Sequence, residues 1–117
     1  MNRKLVFALA LVLAFAVATP HADARSDAKA QVEFGIEVAL RGLWQEAMYR
    51  WQRAIELDPT YAPAWNNLGI AFEHEGRFDE AREAYETALD LEPDNLHIET
   101  NYDLFLEVND RDSQDPR

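Results

Sequence analysis

Two hydropathy patterns divide the chain. From Leu5 to Ala18 the residues are apolar without interruption (LVFALALVLAFAVA), and from Ala28 onward apolar residues recur at helical spacing in stretches closed by glycine or proline. The second pattern predicts an all-α domain. Gly42 and Gly76 turn the chain between paired helices, and Pro59 and Pro93 end the second helix of each pair. Proline does this because it cannot continue the hydrogen-bond ladder and restricts the residue before it. Beyond Pro93 a terminal helix is predicted over 96–108, apolar at Leu96, Ile98, Tyr102, Phe105 and Leu106. Residues 109–117 (NDRDSQDPR) are polar and charged and are expected to fray.

The stretches repeat. Gly42, Trp44, Ala47, Trp51, Ala54 and Pro59 align with Gly76, Phe78, Ala81, Tyr85, Ala88 and Pro93 at a constant offset of 34, and Gly35 and Gly69 obey the same offset. Small residues match small ones and aromatics match aromatics, so the register is set by packing positions rather than by composition.

The segment 62–95 carries Trp65, Leu68, Gly69, Phe72, Ala81, Tyr85, Ala88 and Pro93 at the signature spacing, and it closely resembles the tetratricopeptide repeat (TPR). The segment 28–61 is more divergent: Gly35, Ala47, Ala54 and Pro59 fit and Phe34 and Trp51 are same-class replacements, but Gln31 and Val38 stand where aromatics are usual. The resemblance implies antiparallel helix-turn-helix units, about two and a half of them, stacked into a short right-handed solenoid over 25–108. On that fold Gly35 and Gly69 are expected to face Ala47 and Ala81, letting paired helices approach closely. Ala54 and Ala88 are expected where one unit's second helix meets the next unit's first.

The resemblance also implies a binding face. First helices of such repeats line a concave groove, and the matching positions are Lys29, Val32, Glu33, Ile36, Ala39 and Leu40 in the first unit. The second unit supplies Pro63, Asn66, Asn67, Ile70, Glu73 and His74, and the terminal helix His97, Thr100, Asn101, Leu104, Glu107 and Val108. Ile36, Ile70 and Leu104 then form an apolar ladder beside the amides of Asn66, Asn67 and Asn101, a combination that can accept a peptide backbone and bury one partner side chain. The same ladder could instead pack against neighbouring helices with the asparagines merely solvated. The clamp that some TPR domains use for acidic C-terminal tails needs lysines, and the matching positions hold Val32, Ile36, Asn67, His97 and Asn101. Only the asparagine of the second unit fits, which argues against a terminal carboxylate as ligand.

Composition narrows the setting. Met1-Asn2-Arg3-Lys4, the apolar run and Ala22-Asp23-Ala24 succeed one another as a basic region, an apolar core and a small-residue cleavage site, so a cleavable signal peptide over 1–24 is expected. The run falls short of the ~20 apolar residues that span a bilayer; an uncleaved anchor is the alternative. With no cysteine there is neither a lipoprotein acceptor nor a disulfide, so a periplasmic or secreted domain held by helix packing alone is expected. The formal net charge of −11 disfavours nucleic acid, whose binding needs a basic patch.

Candidate chemistry is sparse. The histidines after the signal segment are His74 and His97; His74 closes a helix, where a cation suits the dipole. No metalloprotease pair, phosphate-cradling loop or nucleophile elbow is present. The acidic tail Asp110, Asp112, Asp115 lacks the glycine and bidentate glutamate of a calcium loop. Neither enzyme activity, a cofactor, a metal nor a small-molecule substrate is therefore expected. Trp44 is assigned to turn packing, and Tyr49 points outward on the second helix. Two readings remain: an adaptor that binds a peptide or helix of another protein in the groove, or a self-associating structural subunit whose divergent first helix is an open end.

Overall fold

The computed structural model describes residues 20–114; the apolar run of the expected signal segment and the last tail residues lie outside them. Five helices follow one another: α1 (Pro20–Leu40), α2 (Trp44–Leu57), α3 (Ala62–His74), α4 (Phe78–Leu91) and α5 (Leu96–Gln114). Helices α1 and α2 form one hairpin and α3 and α4 the next, while α5 closes the stack.

Both hairpin turns are built by glycine. Gly42 and Gly76 have φ of 79° and 75°, the left-handed region that a Cβ disfavours. In the first turn the Leu43 amide donates to the Val38 carbonyl (3.0 Å) and the Gly42 amide to the Ala39 carbonyl (2.9 Å), a Schellman arrangement that satisfies the last carbonyls of α1. The second turn repeats it through Arg77 to Phe72 and Gly76 to Glu73. Between hairpins, Pro59 follows the end of α2 and Pro63 sits in the first turn of α3, where its missing N–H leaves no bond unmade. Asn95 caps α5, its Oδ1 accepting from the amides of His97 and Ile98.

The second helices are amphipathic in the expected register. Ala47, Met48, Trp51 and Ala54 are the buried face of α2, and Ala81, Ala84, Tyr85 and Ala88 that of α4. Ala88 meets Ala62 and Ile98 at the junction of α3, α4 and α5. An aromatic cluster seals the end of the stack, with Phe105 of α5 at 5.5 Å from Tyr85 and 6.4 Å from Phe78, ring centre to ring centre.

Three expectations need correction. The signature glycines do not serve chiefly to bring helix backbones onto Ala47 and Ala81. A Cβ on Gly35 would lie 2.4 Å from Trp51 Nε1, and one on Gly69 would lie 3.0 Å from the Tyr85 ring, so each glycine is the seat of an aromatic ring from the paired helix. Trp51 is fixed there, its indole N–H donating to the Val32 carbonyl at 3.2 Å. Helix α1 begins before Ala28, because Arg25 ties its first turns to the α2–α3 loop: the guanidinium meets Asp58 at 2.5 Å and the Thr60 hydroxyl at 3.0 Å, and lies over the Tyr61 ring. Helix α5 continues past Val108 to Gln114 instead of fraying at Asn109, with Arg111 and Glu107 paired one turn apart.

Candidate functional site

The contacts among helices decide which face can receive a ligand. Helix α3 touches both α1 and α5, whereas α2 and α4 do not approach each other. The odd-numbered helices therefore crowd together on the inner side of a curved stack, and their free faces form its concave wall.

Three hollows lie along that wall and share residues end to end. The first is lined by Val32, Glu33, Ile36, Tyr61, Pro63, Asn66, Asn67, Asn95, His97 and Ile98. The second, mostly apolar, is lined by Ile36, Ala39, Leu40, Trp44, Trp51, Asn67 and Ile70. The third lies among Trp44, Ile70, Glu73 and His74. Ile36 and Asn67 are common to the first two, and Trp44 and Ile70 to the last two, so the hollows are stations of one trough.

The sequence-derived groove residues fall into distinct places. Ile36, Leu40, Asn67 and Ile70 meet around the central apolar station. Leu40 is 84% exposed and Ile36 43%, so both present apolar surface to solvent. Val32 and Asn66 form the floor, each nearly closed to solvent. His74 stands at the far end with its ring stacked on Trp44, centroids 4.2 Å apart. Leu104 is over half exposed but lines none of these hollows, so the ladder of Ile36, Ile70 and Leu104 has two rungs in the trough and one beyond it.

The amides are connected. Asn101 Nδ2 donates to Asn66 Oδ1 at 3.1 Å, and Asn66 Nδ2 reaches Asn67 Oδ1 at 3.4 Å. This chain of amides links α5 to α3, satisfies a buried polar side chain, and leaves the Asn67 amide N–H group at the trough surface. Asn66 and Asn101 thus act first as structural partners, and Asn67 is the member placed to meet a ligand.

Charge in the trough is negative. Its lining holds the carboxylates of Glu33 and Glu73 and the imidazoles of His74 and His97, with no lysine or arginine. Glu73 also accepts from the Tyr85 hydroxyl at 2.8 Å; burial first, and this bond second, push the Tyr85 phenol well above its ordinary range. Burial likewise raises the Tyr61 phenol, with Glu33 adding to it. In the α2–α3 loop the Thr60 hydroxyl, followed by Arg25, holds the Asp58 carboxyl down to about 2 against the opposing effect of burial.

Trp44 packs against the core beside the turn, as its position suggests, and is also a wall of two of the three stations, a role sequence reasoning missed. Its neighbourhood, richer in aromatics than one buried stripe needs, was the available signal. Tyr49 is 57% exposed on α2, away from the trough lining. Among the described residues no cluster of His, Asp or Glu could hold a metal ion, and no helix is long and apolar enough to cross a membrane.

Comparison with known proteins agrees with this geometry. The family profile "Tetratricopeptide repeat" matches residues 62–95 and the profile "TPR repeat" matches residues 39–76. An uncharacterised protein of Methanocaldococcus jannaschii is 38% identical over 69 residues, 59% of this chain and 80% of that protein. The probable UDP-N-acetylglucosamine–peptide N-acetylglucosaminyltransferase SPINDLY of Oryza sativa subsp. japonica is 36% identical over 48% of this chain, which spans 6% of that enzyme. The crystal structure of MamA shares the fold with a TM-score of 0.65 and 30% identity, over 75% of this chain and 51% of that one. The chain thus spans about half the MamA chain and a small part of the glycosyltransferase.

Proposed function

Because the chain belongs to the tetratricopeptide repeat family, whose stacked helices serve protein interaction, we propose that it is an exported adaptor that holds a peptide segment or helix of another protein in its concave trough. The observation that carries this reading is the continuity of the three hollows through Ile36, Asn67, Trp44 and Ile70. A partner side chain seated between Ile36 and Ile70 would be desolvated, while the Asn67 amide could meet its backbone. On this reading the trough binds its partner without a chemical step. The similarity to the glycosyltransferase does not extend this, since it spans so little of that enzyme.

Export rests on the order of basic, apolar and small residues over 1–24. Processing after Ala24 would make Arg25, the residue that anchors α1 to Asp58, the first of the mature chain. Mass measurement of the protein isolated from its host tests this: a mature start at Arg25 is expected, and a chain still beginning at Met1 would oppose it.

A second reading, self-association through the end of the stack, is favoured by one observation: Leu104 and Val108 on α5 are each 55% exposed. Replacing Asn67 and Ile70 together separates the two. The adaptor reading expects partners to be lost from a pulldown of envelope extract; retention of every partner would place binding elsewhere.

A further inference from the structure

We propose that the trough selects a cationic-apolar segment, a partner peptide whose apolar side chain is flanked on both sides by lysine or arginine. This rests on the adaptor reading and adds the chemistry of the partner. The central station, among Ile36, Ala39, Leu40, Trp44 and Ile70, can desolvate one aliphatic side chain. A carboxylate stands on either side of it, Glu33 in one neighbouring station and Glu73 in the other.

Nothing cationic of the lysine or arginine type answers them within the lining. Lys29 on α1 and Arg41 in the turn after it are exposed but are not part of the trough wall, and Arg25, beside Tyr61, is already engaged by Asp58. Glu33 lines its station as an exposed carboxylate, and Glu73 uses one oxygen for Tyr85 and keeps the other. An acidic segment would meet two carboxylates and the field of a chain with net charge −11, whereas a basic one would be steered toward both.

The test uses the protein as isolated from its host and three synthetic peptides, acetyl-KKLLKK-amide, acetyl-EELLEE-amide and acetyl-KKSSKK-amide, titrated by calorimetry. The basic apolar peptide is expected to bind at least about tenfold more tightly than either control. Ile36→Ser and Glu33→Gln, both on exposed side chains, should each weaken it severalfold with unchanged circular dichroism, whereas Glu83→Gln on the outer helix α4 should not. Should the acidic apolar peptide bind as well, and still respond to Ile36→Ser, the trough stands as the site and the charge selection falls. If the basic peptide binds but ignores Ile36→Ser and Glu33→Gln, or if KKSSKK binds equally, the attraction is diffuse and both proposals fall. Absence of binding by all three overturns the proposal.

Discussion

At Gly35 the missing side chain is as consequential as any present. Glycine within a helix costs roughly 1 kcal/mol relative to alanine, yet a Cβ here would meet the buried, hydrogen-bonded Trp51 ring at 2.4 Å. Gly35→Ala is therefore expected to destabilise the protein by about 1–3 kcal/mol despite its better helix propensity, read as a lower denaturant midpoint. Gly69→Ala should cost less, because the Tyr85 ring stands at 3.0 Å, and Gly69→Leu should abolish the folded state. Gly42 contrasts with both. No atom beyond its chain neighbours lies within 4 Å of its absent side chain, so Gly42→Ala is penalised chiefly through its positive φ, by about 1–2 kcal/mol.

Asp58 is a carboxylate whose ionisation bears on stability. Its pKa is lowered from the ordinary 3.8 to about 2, so its contribution is fully present above the unfolded value and lost as pH falls from about 4 to about 2. Asp58→Asn should lower the melting temperature at neutral pH and flatten the fall in melting temperature across that acid interval. An unaltered acid limb in the variant would show that the loop draws no stability from this carboxylate.

At the scale of elements, the helix pairs were legible and much of what joins them was not. The 34-residue offset, the glycine turns and the proline stops are local signals, and they return in the structure as hairpins with Schellman turns at Gly42 and Gly76. The Arg25–Asp58 anchor joins residues 33 apart, and the Asn101–Asn66 bond residues 35 apart; neither spacing leaves a trace in periodicity. The trough was partly legible, since Ile36, Asn67 and Ile70 follow from repeat positions. Trp44 could not be placed that way, because its role depends on how far the next unit's His74 swings toward it. The identity of a turn residue does not encode that distance.

Helix α5 depends on those unsignalled contacts. Asn101→Ala leaves the buried Asn66 carbonyl without its donor, an omission that costs about 1–3 kcal/mol, and hydrogen exchange should rise first across α5. Phe105→Ala removes the ring shared by Phe78, Tyr85 and Tyr102 and should cost about 3–5 kcal/mol. Uniform exchange along all helices in both variants would mean that α5 is not a separable part of the stack.

For the whole molecule, curvature follows from which helices meet. Small residues on the second helices let α2 and α4 pack against their own partners and the next unit, while α3 bridges α1 and α5. The inner wall inherits the residues the packing did not consume, Ile36, Leu40, Asn67 and Ile70, and the carboxylates of Glu33 and Glu73 beside them. One set of helices thus carries fold on one face and an open trough on the other. The partner is expected to meet this trough and not the outer surface. Placing a photoreactive benzoylphenylalanine at Ile70, and in a second strain at the outward Glu83, tests it inside the native host. A crosslinked partner protein from position 70 and none from position 83 is the expected result; an adduct from position 83 with none from position 70 would contradict it.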